Sequence, residues 1–271
     1  MTPDRARSLL AALPSARERW LTNAVAKTNA ESLWLTGSLG RDAADAWSDV
    51  DLIVVGGDPA LDGALLSLEN AYNGPAGGGY VGAMYELDEL TLWVDWYRWP
   101  AGALLPRDAK PLAGGGRQGG LDLCEALDRI GRGRPAPTPD PVLFALAMLP
   151  LAAKFVGRGE TAPARAMAAM LGAPPELPPA DGLCAVLSRL FQLRVRASLR
   201  ERVARYLEVA RALAPAATGP GGSALGVDPA EGGQRAQGLQ GDDAAPFEQR
   251  GLARRVPPDR PAAVGLLLAF E

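Results

Sequence analysis

Apolar residues recur along this chain in two rhythms, and the rhythms predict its elements. Leu33-Trp34-Leu35 and Leu52-Ile53-Val54-Val55 are short continuous runs, closed by Gly37 and by Gly56-Gly57. Runs of this length bounded by turn residues predict buried strands over 33–36 and 51–55. Tyr80 to Glu86 and Thr91 to Trp99 predict two more, joined by a turn at Leu87-Asp88-Glu89-Leu90. The second alternates, with Leu92, Val94, Trp96 and Arg98 on one face and Trp93, Asp95, Tyr97 and Trp99 on the other. Elsewhere the spacing is helical. Thr2-Pro3 opens a helix that Pro14 is expected to interrupt, and a second stretch carries Trp20, Leu21, Ala24 and Val25. Leu61, Leu65 and Leu68 predict a helix over 61–68, and Leu123, Leu127 and Ile130 predict one over 121–130. Asp140-Pro141 caps a helix to about Val156, and Thr161–Leu171 forms another. A single long helix is predicted from Gly182 to Leu213. The segment 39–46 is Ala-rich and predicts a short helix whose N-terminus points at Gly37-Ser38. Residues 73–79 and 100–120 read as loops.

The Gly/Pro/Arg-rich stretch 131–139 reads as a linker. The expected fold class is therefore α+β. A mixed sheet flanked by helices occupies 1–131, and a helical domain occupies 140–213. From 214 to 271 the periodicity is lost and Gly, Pro, Ala, Asp and Gln dominate, so this tail is expected to be disordered.

Composition narrows the chemistry. The net charge is −3 with no extended basic run, which disfavours a nucleic-acid partner. The two cysteines, Cys124 and Cys184, lie far apart and read as small buried residues. With no disulfide framework, no secretory leader pattern and no apolar run near the ~20 residues of a membrane span, a cytoplasmic protein is expected. There is no histidine. Ser-His-Asp triads, Cys-His dyads and His-ligated zinc are thereby excluded, and carboxylates, Lys, Tyr or metal-bound hydroxide remain as bases.

The candidate chemistry lies at 33–55. Asp49 and Asp51 are two residues apart at the start of a strand, so their carboxylates point the same way. Such a pair repels itself unless a cation lies between, and hard oxygen ligands suit Mg²⁺. Gly37 allows close backbone approach to a phosphate, and Ser38 adds a hydroxyl and an N–H. Arg41 reaches either a phosphate or the neighbouring Asp42 and Asp45. Trp47 either stacks a base or belongs to the core.

Gly37-Ser38, ten intervening residues and Asp49-Val50-Asp51 resemble the signature of the polymerase-β-type nucleotidyltransferase superfamily, and particularly its small bacterial members, the aminoglycoside and lincosamide nucleotidyltransferases. The motif covers a small part of the chain. The resemblance implies a nucleotidyltransferase domain within 1–131 and a third carboxylate on a later strand. Asp95 fits that place, with Glu86 its rival and Asp88 and Glu89 read as solvated turn residues. It implies two Mg²⁺ ions held by Asp49, Asp51 and Asp95, with the triphosphate of an NTP, ATP first, on Gly37, Ser38 and Arg41. It also implies a basic residue from the helical domain at the phosphates, and Lys154 is the candidate, against an ordinary surface lysine. The acceptor would be a hydroxyl of a small molecule, such as an aminoglycoside-type antibiotic. The competing expectations are a non-catalytic nucleotide-binding protein and an antitoxin-like, protein-modifying transferase. The arginines of the last helix (Arg189, Arg194, Arg196, Arg200, Arg202, Arg205) stand beside Glu201 and Glu208, which favours a solvated face over a nucleic-acid surface.

Overall fold

Short apolar runs that alternate faces can bury one side only by pairing, and six of them do so in the computed structural model of the protein. It describes residues 1–134, 139–190 and 196–215. The expected tail falls outside them from residue 216, as do Arg194 and the apolar 264–270 stretch.

The strands are β1 (Ser32–Thr36), β2 (Val50–Val55), β3 (Ala64–Glu69), β4 (Gly79–Leu87), β5 (Leu90–Trp99) and β6 (Lys110–Gly114). They form one mixed sheet in the order β3-β4-β5-β2-β1-β6. All neighbours are antiparallel except β2 and β5, which are parallel. The described helices are α1 (Pro3–Lys27), the single turn α2 (Gly37–Gly40), α3 (Leu123–Ile130), α4 (Pro141–Gly157), α5 (Thr161–Met170), α6 (Pro179–Leu190) and α7 (Ala197–Leu213). The fold is mixed α/β.

The alternation on β2 and β5 divides the sheet as the sequence predicts. Val50, Leu52, Val54, Val94 and Trp96 enter a hydrophobic cluster with residues of α1, α4 and α7. Trp20 of α1 lies against Tyr85 and Trp96 at ring separations of 4.8 and 6.3 Å. On the other face Trp34, Ile53, Tyr97 and Trp99 are buried, as are Leu105, Leu123 and Leu127 of the following segment. Residues up to 214 belong to one compact unit, and α4 to α7 contribute to the same cluster as the sheet.

Asp140 caps α4 as expected, accepting from the Val142 and Leu143 amides at 2.9 and 3.0 Å. By length and composition α4 could cross a membrane, a property the sequence reading did not find, and more than half of it is buried in this fold. Such burial is that of a core helix.

Five local expectations are corrected. α1 continues through Pro14, because Leu9 and Leu13 before it and Ala16 and Ala24 after it are all anchored in the core. The 39–46 segment is helical only to Gly40. Asp42 adopts φ 57°, and the Asp45 side chain takes the Trp47 amide and Ser48 hydroxyl into a turn. Residues 64–69 form edge strand β3, not a helix. Leu66 is buried against β4 while its neighbours are more exposed, with a register shift between Ala64 and Leu66. A strand, β6, lies inside the expected 100–120 loop, and Pro111 is tolerated because β6 is an edge. The predicted long helix is two elements, since Arg196 is extended (φ −53°, ψ 127°) and α7 starts after it.

Candidate active site

Parallel pairing of β2 with β5 puts Asp51 directly beside Asp95. Neighbouring strands lie about 4.8 Å apart and paired residues share a face, so the two carboxylates stand together. The same row continues into Thr36 of β1 and Gly82 of β4. Gly37 is next to this row with φ +65°, and a Cβ built there would lie 2.0 Å from Asp51 Oδ2. Position 37 therefore has to be glycine twice over, for its backbone angle and for the room Asp51 needs. Thr36 is fully buried, and its Oγ1 has no hydrogen-bond partner among the described residues. A buried hydroxyl beside a carboxylate pair is a group that a polar ligand would satisfy.

Asp95 is oriented by aromatic donors that the sequence did not reveal. Its Oδ1 accepts from the Tyr80 hydroxyl and, at 2.7 Å, from Trp93 Nε1. Gly82 makes this possible, because a Cβ there would strike the Trp93 ring and the Tyr80 hydroxyl. Tyr80 and Tyr97 meet edge to face at 5.4 Å. Burial, followed by the Asp95 and Asp51 charges, pushes both phenols well above their ordinary value. Tyr80 thus stays a proton donor to Asp95.

Asp49 is held differently. It pairs with Lys154 of α4, which is 2% exposed and so is no surface lysine. One turn further, Arg158 makes two 2.8 Å hydrogen bonds to Asp45. From the other side buried Arg17 of α1 donates to Ser48 O at 2.7 Å and Asp45 O at 3.1 Å. Trp47 is a core residue, edge-on to Tyr206 at 5.6 Å, and a Cβ at Gly157 would lie 2.4 Å from its ring. The segment 45–49 is thus clamped between α1, α4 and α7 immediately before β2. A small cavity beneath it is lined by Arg17, Trp47, Ser48, Asp49, Trp93 and Tyr206.

Burial opposes the charge on Asp45, but hydrogen bonds from Arg158 and Ser48 and the Arg158 charge outweigh it and hold its pKa below the ordinary value. Its contribution to stability is therefore complete above the ordinary carboxylate range and is lost as pH falls through the lowered value. Acidification below about pH 4 should loosen the 45–49 segment and change Trp47 fluorescence. Asp45→Asn should remove that acid transition, and its survival in the variant would disconnect it from Asp45.

The other sequence candidates separate. Arg41 pairs with Asp108 at 3.0 Å. Glu86 pairs with Arg202, Glu89 with Arg5 and Arg205, and Asp88 with Arg19. The hairpin acids and the α7 arginines thus answer each other. Glu86 is committed away from Asp51, which leaves Asp95 as the carboxylate beside it. Among the described residues no three His, Cys, Asp or Glu side chains are gathered into one metal cage. What the fold brings together is the pair Asp51 and Asp95, with Asp49 close in sequence but paired with Lys154.

No family model matches the chain, and no curated protein matches it.

Proposed function

We propose that the protein is a Mg²⁺-dependent nucleotidyltransferase that moves a nucleoside monophosphate from an NTP to a hydroxyl of a small molecule and releases pyrophosphate. The observation that carries this reading is the in-register placement of Asp51 beside Asp95, with Gly37 compelled to be glycine against Asp51. Two adjacent carboxylates fit Mg²⁺, which takes one or two carboxylates plus substrate phosphates. Bound there, Mg²⁺ would stabilise the entering and leaving oxygens of an in-line displacement.

The chain's own residues have separable parts in this reading. Asp51 and Asp95 provide the ligand oxygens, with Asp49 in reserve behind Lys154. The Tyr80 and Trp93 donors fix the Asp95 carboxylate in place beside Asp51. Ser38 and the backbone at Gly37 receive the β- and γ-phosphates beside Asp51. Lys154 adds a buried cation to them. The cavity beneath Asp49 is small, and in this reading the triphosphate is received at half-buried Ser38. The acceptor hydroxyl passes its proton to Asp95 as its oxygen forms the new bond to the α-phosphorus and the bond to pyrophosphate breaks. Most of the acceleration is positioning and charge stabilisation, since such transfers ask little covalent chemistry of the protein.

A binding module without turnover is favoured by one observation, that the Asp49 charge is already answered by Lys154. Incubation with ATP, GTP, CTP or UTP, Mg²⁺ and a panel of aminoglycosides, lincosamides and simpler alcohols distinguishes the two. The expected result is pyrophosphate release with at least one acceptor. Mg²⁺-dependent nucleotide binding without release across the panel would favour the binding module, and absence of both would end the proposal.

A further inference from the structure

The turn that carries Gly37 and Ser38 is held from two sides. On one side Gly37 lies against Asp51, where no side chain fits. On the other lies the segment 108–110, which the Leu35–Lys110 pairing of β1 with β6 carries alongside the end of β1. A Cβ at Gly40 would lie 2.5 Å from Asp108 O and 3.1 Å from Leu35 O, so the two backbones touch there. Beyond Gly40, Arg41 pairs with Asp108 at 3.0 Å and Asp42 with Lys110 at 2.5 Å. The two pairs differ in weight. Asp42 and Lys110 are both exposed, and such a pair contributes little. The Asp108 side chain is only 9% exposed, and its Oδ1 is sealed from water with no hydrogen-bond partner among the described residues. Its Oδ2 accepts from Arg41, whose own side chain stays 36% exposed. A buried carboxylate thus grips a guanidinium that remains partly open to solvent. The Arg41 amide donates to Gly37 O at 3.2 Å, so Arg41 stands one turn beyond Gly37 and its side chain shares that face.

We infer that Asp108 is a positioning residue for the phosphate-binding turn, acting through Arg41. The inference rests on the nucleotidyl-transfer reading and deepens it. The buried carboxylate is the fixed part and Arg41 is the arm that it aims. With Asp108 in place, Arg41 and the Gly37-Ser38 backbone present their donors to a polyphosphate in one arrangement, so little ordering is left to binding. Without it, Arg41 keeps its charge and loses a fixed direction.

The sign of one substitution separates positioning from charge. Asp108 is itself an anion, so if it acted only through the local field, its removal would tighten the binding of another anion. Positioning predicts the reverse. The full chain is titrated with inorganic tripolyphosphate in the presence of Mg²⁺ by isothermal calorimetry, well below the melting temperature of each variant. Asp108→Ala should bind about tenfold more weakly than the unaltered protein, the worth of one charge-assisted hydrogen bond. Asp108→Asn, which keeps an acceptor oxygen, should recover part of that loss. Arg41→Gln should weaken binding as much, and the double substitution Arg41→Gln/Asp108→Ala should be no weaker than Arg41→Gln alone, because Asp108 acts through Arg41. Should Asp108→Ala fail to fold, weaker binding by Asp108→Asn supports the inference. Equal or tighter binding by the folded Asp108 variants, or full additivity with Arg41→Gln, would overturn it while leaving the carboxylate site standing. No binding of tripolyphosphate or of any NTP by the unaltered protein would overturn the nucleotidyl-transfer reading itself.

Discussion

Asp51→Asn should lower pyrophosphate release by on the order of 10³-fold with little change in melting temperature, the loss expected when several kcal/mol of charge stabilisation are removed. The substitution keeps the shape that Gly37 leaves room for and keeps the β2 pairings on both sides. It replaces one ligand oxygen with an NH₂ group that repels a cation. Asp95→Asn should cost a similar factor. Its remaining oxygen can still accept from Tyr80 and Trp93, so the strand stays in place while the charge is gone. Glu86→Gln is the control, since Glu86 faces Arg202 and should retain activity. Circular dichroism and melting curves on the same preparations separate chemistry from folding. Full activity in Asp51→Asn would remove the basis for a metal-dependent reaction here.

Asp49→Ala should be the most destabilising of the carboxylate substitutions. Removing one partner of a buried ion pair typically costs about 3–5 kcal/mol, because the other charge is left without compensation. Lys154 is the partner left behind, buried to 2% exposure among the apolar residues of α4. For a unit of this size each kcal/mol shifts the melting temperature by about 2–4 °C, so a drop on the order of 10 °C is expected. The double substitution Asp49→Ala/Lys154→Met should recover part of that loss, because the buried ammonium is removed together with its carboxylate. Strict additivity of the two single substitutions would mean that the pair contributes nothing as a pair. Scanning calorimetry decides between these outcomes.

The parts of this molecule that were legible in its sequence are those set by local spacing. β5 could be read from its alternation, down to the face that carries Asp95, and the capped start of α4 from Asp140-Pro141. β3 was misread because Leu61, Leu65 and Leu68 happen to fall at helical intervals. The hydrogen bonds offered by β4 decide that segment instead. β6 has no alternation and contains Pro111, so only its place beside β1 makes it a strand. At the site, the Gly-Ser turn and the paired aspartates were readable as a motif. The partners were not. Arg17 and Lys154 reach residues 45–49 from 31 and 105 positions away in sequence, and no local rhythm records such a meeting. Tyr80 and Trp93 looked like strand aromatics, and only the missing side chain of Gly82 lets them converge on Asp95.

The single parallel pairing in the sheet joins two antiparallel halves, β3-β4-β5 and β2-β1-β6. Asp51 belongs to one half and Asp95 to the other. Their mutual repulsion acts across the one seam where the halves meet, and a ligand bound between them works as a staple. Substrate would then be felt as cohesion of the whole sheet. Amide hydrogen exchange at 50–55 and 94–99 should slow when the ligand binds, while the β3–β4 pairing, one strand removed from the seam, should be unmoved.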